Sequence, residues 1–233
     1  MSKVGNLEIV TQNRIIDLFQ NHLHYSYLGN FQDRINNSNI ETEKLKTFFK
    51  KKNYSDALIN RALRELDNAK IISDGRSLYD ANKDIYRLLR YGIKVKEESG
   101  KQNQTIWLID WDNPQNNDFA IASEVTLKGN KERRPDLVIY INGIAIAVIE
   151  LKRSIVSIGE GIRQNISNQR REFNRDFFST IQLVMAGNDS EGLRYGTIET
   201  KEKYYLEWKE KAESHNYKLD QHLSLIFQKQ RLL

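Results

Sequence analysis

The sequence predicts an α/β fold in which helices flank a mixed β-sheet. The most apolar stretch consists of two β-prone runs joined at Asn142-Gly143, the strongest short signal for a β-hairpin. Alternating or β-rich runs also lie between residues 93 and 127 and between 181 and 198. Together with the hairpin, these runs are expected to form one mixed sheet.

The first ninety residues are predicted to be mainly helical. Apolar residues at helical spacing predict helices over residues 8–23, 42–52, 54–66 and 80–91. The second and third of these form an αα unit, which we interpret as a small helical insertion at about 39–70. A DNA-binding helix-turn-helix is the alternative, but its second helix lacks a markedly basic face. A short extended piece is expected at 25–30.

The rest of the chain alternates strands and helices. The predicted strands cover residues 93–96, 105–111, 119–127, 136–141, 144–152, 181–186 and 195–198, and the predicted helices cover 159–173 and 202–211. Trp107 and Trp111 are expected in the core. The run 222–233 is amphipathic and ends without a capping residue, so we expect a fragment of a longer polypeptide.

Composition narrows the class of protein. Hydrophobic residues make up 39% of the 233 residues and charged residues 29%, as in globular proteins. The chain has no cysteine, which excludes disulfides and cysteine-based metal sites. It has no secretory signal and no apolar run long enough for a membrane span, so a cytoplasmic protein is expected. The net charge of +5 permits an anionic partner such as DNA.

Three charged residues bound the apolar hairpin. Asp136 opens its first strand, and Glu150 and Lys152 close its second, on one face of that strand because side chains alternate. Two carboxylates suit Mg²⁺, which prefers oxygen ligands, polarises a phosphate and acidifies a bound water. The lysine suits orienting that water or stabilising charge on the phosphate. The pattern therefore indicates metal-dependent phosphodiester cleavage, with the Leu151 carbonyl as a further possible ligand.

A regular hairpin would not assemble this site. A two-residue turn at Asn142-Gly143 pairs Asp136 with Ile149, which leaves Asp136 and Glu150 on opposite faces. We therefore predict a bulge, a three-residue loop or a kink near Asp136, as is common beside active sites.

These residues resemble the PD-(D/E)xK nuclease superfamily, whose restriction endonuclease-like fold is a mixed sheet flanked by helices. More narrowly, the chain resembles the N-terminal part of the restriction (R) subunit, HsdR, of a type I restriction-modification enzyme. Besides the hairpin, the resemblance rests on Ala186-Gly187-Asn188-Asp189, on Leu193-Arg194-Tyr195-Gly196-Thr197 and on the region 204–208. It implies that Asp136 and Glu150 are metal ligands and that Lys152 is catalytic.

The chain departs from the family pattern at two places. Relatives often carry Gln-x-x-x-Tyr on the helix after the hairpin. Gln164 fits the glutamine and is predicted to support the catalytic site, but Asn168 replaces the tyrosine. Relatives often have an acidic metal ligand on the first helix, whereas the matching turn here contains none. Glu8 and Asp17 lie about one turn to either side, and the sequence does not choose between them.

The resemblance implies a Mg²⁺-dependent endonuclease domain over residues 1–219, with Mn²⁺ as a substitute ion. Residues 220–233 would begin a connection to a motor region. The phosphate-loop motif of ATPases is absent from the chain, so ATP would act only through that region. Double-stranded DNA and the specificity and methylation subunits are the implied partners.

Basic residues on both sides of the hairpin are candidate DNA contacts. Arg133 and Arg134 precede it and Arg163 follows it. Two alternatives to a type I subunit stay open. One is a stand-alone restriction or repair nuclease of the same superfamily. The other is a catalytically silent docking module that keeps the nuclease fold, which the two departures from the family pattern would explain.

Overall fold

The computed structural model of the chain describes residues 3–129, 131–210 and 216–233, with side chains from residue 9 onward. The strands are β1 (Ser26–Asn30), β2 (Ile93–Lys96), β3 (Asn103–Ile106), β4 (Phe119–Ser123), β5 (Leu137–Ile141), β6 (Ile144–Leu151), β7 (Leu183–Asn188), β8 (Gly192–Gly196) and β9 (Leu206–Glu207). The α-helices are α1 (Lys3–Asp17), α2 (Thr42–Lys51), α3 (Asp56–Ala69), α4 (Leu78–Tyr91), α5 (Ile158–Asn168), α6 (Lys218–Ile226) and α7 (Lys229–Leu232). A π-helical turn, Leu18–His22, continues α1.

Seven strands form one mixed sheet in the order β1-β4-β5-β6-β7-β8-β9. The β5–β6 hairpin occupies its centre, and every residue of both strands is buried. β1 pairs with β4 and β6 with β7 in parallel, whereas the other neighbours are antiparallel. This mixed sheet with flanking helices is consistent with the restriction endonuclease-like fold expected from the sequence.

The two faces of the sheet carry separate hydrophobic clusters. One cluster joins alternate residues of the central strands, such as Ile139 and Ile149, to α1, α2, α3 and α6. The other joins Val138 and Val148 to α5. Since Glu150 follows Ile149 in the alternation, its side chain lies on the α5 face. This position brings it within reach of α5 polar side chains.

The predicted irregularity of the hairpin is confirmed as a one-residue bulge. Ile139 pairs with Ala147, whereas the next residue, Tyr140, pairs with Ala145, which leaves Ile146 without a partner. Ile146 and Ala147 consequently belong to the same hydrophobic cluster. The bulge lies closer to the turn than to Asp136, and it moves every later residue of β6 by one position relative to β5.

The insertion between β1 and β4 is larger than residues 39–70. It also contains α4 and the two-stranded β2–β3 sheet. A capping box of Ser77 and Asp80 begins α4, and Gly92 ends it in a left-handed conformation at φ +70°. The Asn82 amide donates to the carbonyls of Phe178 and Ile181, which anchors α4 just before β7.

Three other sequence expectations are wrong in part. The strand expected over 105–111 stops at Ile106, and Trp107 is 42% exposed rather than buried in the core. In place of the helix expected over 202–211, a short 3₁₀ turn is followed by β9, and residue 211 lies outside the described residues. The helix expected over 159–173 ends at Asn168, although Phe173 is buried.

The expected boundary at 219–220 falls inside α6. Leu219, Leu223 and Phe227 are fully buried, and α6 packs on β8. Residues 220–227 are therefore part of the packed domain rather than of a connection. Among the described residues, no helix combines the length and the apolarity that crossing a bilayer requires.

Candidate functional site

Asp136 and Glu150 meet on one face of the hairpin. In the shifted register Leu137 pairs with Ile149, so the residues just beyond this pair, Asp136 and Glu150, lie opposite each other. Their two carboxyl groups are in hydrogen-bonding contact. Glu150 is fully buried. Asp136 Oδ2 accepts a hydrogen bond of 2.6 Å from the Leu151 amide, which fixes its carboxyl group. The bulge thus brings together the two acids that the sequence predicted.

Side chains of α5 hold Glu150 and Lys152. Lys152 Nζ donates to Gln164 Oε1 at 2.9 Å, and Gln164 Nε2 donates to Glu150 Oε2 at 2.8 Å. Asn168 Nδ2 donates to Glu150 Oε1 at 3.2 Å. Asn168, one turn after Gln164, stands where the Gln-x-x-x-Tyr pattern expects tyrosine and, like Gln164, contacts the Glu150 carboxylate.

Both acids are poised to hold a proton. Burial, with a smaller contribution from the charge of Glu124, raises the pKa of Asp136 to about 6. Burial, followed by the negative charge of Asp136, raises the pKa of Glu150 well above its usual value. Lys152 opposes both shifts, since its positive charge favours the ionised carboxylates. Two adjacent acids in a poorly hydrated site favour the uptake of positive charge.

A third acid, Glu124, lies beside the pair and was not predicted from the sequence. Glu124 follows β4 in a left-handed conformation at φ +51°, and its amide donates to the Asp136 carbonyl at 2.9 Å. Gln12 Nε2 donates to Glu124 Oε1 at 2.9 Å and to the Asp136 carbonyl at 3.0 Å. Arg134 Nε pairs with Glu124 Oε2 at 2.6 Å. Glu124 is therefore fixed between α1 and the start of β5.

The first-helix position is held by an amide instead of an acid. Gln12, in the turn that matches the family position, is buried and reaches the site. Asp17 is exposed and accepts a hydrogen bond from Asn21, so it points elsewhere. The Glu8 side chain lies outside the described residues. The positive φ at Glu124 could not be read from its strand-like alternation, and this explains why the sequence did not reveal the residue.

The site opens into a cleft of about 680 Å³. Its lining includes Asp136, Lys152, Gln164, Glu124, Gln12, Glu132, Arg133 and Arg134. The Arg133 guanidinium stacks on the Phe173 ring at 3.6 Å, which fixes its position. Arg163 does not line the cleft and pairs with Glu202 at 2.6 Å. Two of the three arginines that were predicted to contact DNA therefore lie where an anionic ligand would enter.

The acidic pair fits a hard divalent cation. Its donors are oxygens, and a cation would offset the repulsion between two buried carboxylates. Within the part of the chain that the structure describes, no group of three or more His, Cys, Asp and Glu side chains is arranged to hold a metal. The fit consequently rests on Asp136 and Glu150, because Glu124 is already bound by Gln12 and Arg134.

Comparison with known families identifies the chain. Residues 7–203 match the family described as the N terminus of type I restriction enzyme R proteins. This chain belongs to that family. The match covers the sheet from β1 to β8 and all four residues predicted as catalytic, Asp136, Glu150, Lys152 and Gln164. The family resemblance expected from the sequence is thereby confirmed.

Individual proteins similar to this chain carry names that agree with the family match. A Methanocaldococcus jannaschii protein named "Putative type I restriction enzyme MjaVIIIP endonuclease subunit" is 30% identical over 58% of this chain and 13% of its own length. The Haemophilus influenzae type I restriction enzyme HindI endonuclease subunit is 31% identical over 36% of this chain and 8% of its own length. A Staphylococcus aureus type I restriction enzyme endonuclease subunit is 24% identical over 59% of this chain. The chain matches only about a tenth of the length of these relatives.

Proposed function

We propose that this chain is the endonuclease domain of a type I restriction-modification R subunit, and that it cleaves DNA phosphodiester bonds with Mg²⁺, or with Mn²⁺ in its place. One observation carries the proposal: Asp136 and Glu150 face each other across the hairpin, and Gln164 links Glu150 to Lys152. Membership of the R-protein family supports the same reaction class.

The roles of the side chains follow from their contacts. When bound, Mg²⁺ acts as a Lewis acid that polarises the phosphate and lowers the pKa of a bound water. Asp136 and Glu150 would hold the ion, and the Leu151 amide and the side-chain amides of α5 fix their carboxylates. Lys152, held by Gln164, orients the attacking water or stabilises negative charge on the phosphate.

The cleft accounts for the proposed substrate. Arg133 and Arg134 at the cleft attract the phosphates of double-stranded DNA. We extend the proposal to the whole complex by analogy with the family. The specificity and methylation subunits would be partners, and ATP would act through a motor region outside this chain. A stand-alone nuclease differs only in lacking that region and those partners.

A docking module without catalytic activity is the competing proposal. Two departures from the family pattern suggest it: the tyrosine after Gln164 and the acidic residue on the first helix are both absent from this sequence. Asn168 binds Glu150 in place of a tyrosine, and Gln12 places a different acid, Glu124, beside the site. Both contacts favour a catalytic site over a docking module that has lost its catalytic activity.

Metal binding by the acidic pair is the first test. Calorimetry with Mn²⁺ at about pH 8, where both carboxyls of the pair are more fully ionised, should detect binding by the wild-type chain and none by Asp136→Ala. Asp17→Ala, which removes an exposed carboxylate that does not line the cleft, should bind as the wild type does. Equal binding by the wild type and Asp136→Ala would remove the proposed metal site.

Nicking of supercoiled plasmid with Mg²⁺ tests the reaction itself. Lys152→Ala should keep Mn²⁺ binding but lose roughly a hundredfold or more of the nicking rate, because it removes charge stabilisation at the phosphate and not a metal ligand. Metal binding without any nicking by the wild-type chain would favour the docking module.

A further inference from the structure

α4 presents a face of exposed tyrosines and cations that the proposed cleavage site does not use. Tyr79 and Tyr86 are 56% and 50% exposed. Lys83 and Arg90 are exposed as well, and the four residues recur at spacings of four, three and four, which places them along one side of the helix. We call these four residues the α4 stripe. It offers aromatic rings and positive charges in alternation.

A second cleft continues the stripe at the C-terminal end of α4. This cleft of about 540 Å³ is lined by Trp107, Trp111, Tyr91 and Arg90, among others. Tyr91 is 64% exposed, and the Arg90 guanidinium lies over the Trp111 ring at 4.9 Å. We call it the Trp107 cleft. Large aromatic side chains that remain this exposed in a cleft indicate a binding surface.

The positive charges of this surface are largely uncompensated. Among the described residues, Lys83 and Arg90 have no carboxylate within ion-pair distance, whereas many other cations of the chain are paired. In the Trp107 cleft, Asp110 is paired with Lys52, so that Arg90 and Asp112 are the remaining charges there. With Lys83 of the stripe, cations outnumber carboxylates on this surface, which favours an anionic ligand.

The surface is separate from the acidic pair. The residues of the α4 stripe and of the Trp107 cleft are not among those that line the cleavage cleft. Asn82, on α4 beside the stripe, is anchored to the Ile181 carbonyl. Ile181 precedes Ala186, the residue paired with Glu150, by five residues, or about 17 Å along an extended chain. A ligand on α4 consequently would not occupy the cleavage cleft.

We propose that the α4 stripe and the Trp107 cleft bind single-stranded nucleic acid. Aromatic side chains stack on bases of any sequence, and unpaired cations follow the phosphate backbone. Duplex bases are already stacked on each other and offer no free faces to these rings. The surface needs neither the metal ion nor the acidic pair, so this inference stands apart from the proposed cleavage reaction.

Fluorescence anisotropy with a labelled oligothymidylate of about 15 nucleotides, in EDTA, tests the proposal. The wild-type chain should bind it more tightly than a duplex of the same length. Tyr86→Ala combined with Trp107→Ala should weaken binding by roughly tenfold or more. Lys83→Ala with Arg90→Ala should flatten the salt dependence.

The chain contains a matched control for this experiment. Lys203 lies over the exposed Tyr204 ring at 4.8 Å, which makes another surface cation–aromatic pair outside the stripe. Lys203→Ala with Tyr204→Ala should leave oligothymidylate binding unchanged. Asp136→Ala should also bind normally, which separates this surface from the metal site.

Three results would overturn the proposal: no binding of the oligothymidylate, equal loss in the Lys203 and Tyr204 control, or unchanged binding in the Tyr86 and Trp107 variant. Tighter binding of the duplex with no effect of the aromatic substitutions would also overturn it, since phosphate contacts alone would then explain the affinity. The side chains substituted in the stripe, in the Trp107 cleft and in the Lys203 and Tyr204 control are exposed, and circular dichroism verifies that each variant is folded.

Discussion

Asp136 lies opposite Glu150 because the β5–β6 hairpin absorbs one extra residue, Ile146, between its turn and its acidic end. If the same residues formed a regular ladder with Ile146 paired, the alternation would direct the two carboxylates to opposite faces of the sheet. Because of the bulge, Ile146 has no pairing partner on β5, although its side chain is buried. A local backbone irregularity thus determines whether the two acids form one site.

Deletion of Ile146 should leave metal binding intact. Ile139 still pairs with Ala147 when the unpaired residue is removed, so Asp136 stays opposite Glu150. Insertion of one alanine after Ile146 should instead abolish Mn²⁺ binding, since it moves Glu150 to the other face. Calorimetry compares the two variants. The deletion should also cost roughly 2–4 kcal/mol of stability, because a buried side chain is lost. Loss of binding in the deletion and its retention in the insertion would contradict this account.

The stability of the metal-free chain should fall as the pH rises from about 4 to about 7. Burial raises the pKa of Asp136 from 3.8 to about 6, and the pKa of Glu150 is raised as well. Over this range the folded chain binds more protons than the unfolded chain, so the free energy of unfolding decreases with pH. The Asp136 shift alone corresponds to roughly 2–3 kcal/mol. Urea unfolding in EDTA at about pH 5 and pH 8 measures the difference.

Asp136→Asn should reduce that pH dependence and raise the stability at about pH 8, because it removes one of two repelling charges. Asp17→Asn is the matched control, since Asp17 is exposed and is not among the residues that line the cleft. It should keep the slope of the wild type. The same slope in both variants would show that the acidic pair does not carry the effect.

Gly161→Ala should disturb the site through the packing of α5. A Cβ at position 161 would lie 3.0 Å from Ala186 Cβ and 3.4 Å from Lys152 Cγ, where the helix meets the sheet. We expect a loss of roughly 1–3 kcal/mol in stability and weaker Mn²⁺ binding, since α5 and Gln164 must move. Thermal unfolding and calorimetry measure the two effects.

Gly159→Ala, two residues earlier in the same helix, is the control for that change. Its Cβ would meet only the flexible ends of Arg163 and Glu202 and the Ser157 hydroxyl. Alanine favours helix by up to about 1 kcal/mol over glycine, so stability should stay level or rise. Equal damage from both substitutions would argue against close packing at Gly161 as the cause.

Glu124→Gln should change the proton release that accompanies metal binding. The charge of Glu124 contributes to the raised pKa values of Asp136 and Glu150, after burial as the main cause. Its removal should lower both, so that Mn²⁺ binding at about pH 6 releases fewer protons. Calorimetry in buffers of different ionisation enthalpy measures the release. Glu132→Gln, a neutralised carboxylate in the same cleft, should behave as the wild type. An unchanged release in Glu124→Gln would exclude this influence.

Local sequence patterns anticipated much of the architecture. The sequence alone shows the Asn142-Gly143 turn, the apolar strands and the conflict between strict alternation and a shared site, and that conflict predicts the bulge. The errors concerned residues whose environment depends on distant parts of the chain. Trp107 reads as core by its hydrophobicity, yet its ring is left partly exposed by the packing of the insertion.

The sequence by itself determined the hairpin, the three charged residues that bound it and the family to which they belong, because these are properties of short, contiguous segments. Only the tertiary structure decided which residues complete the site. Gln12, Glu124 and Asn168 come from α1, the end of β4 and α5, separated by up to 156 residues. They meet because the sheet and its flanking helices bury them together, and alternation within a single segment carries no information about such contacts.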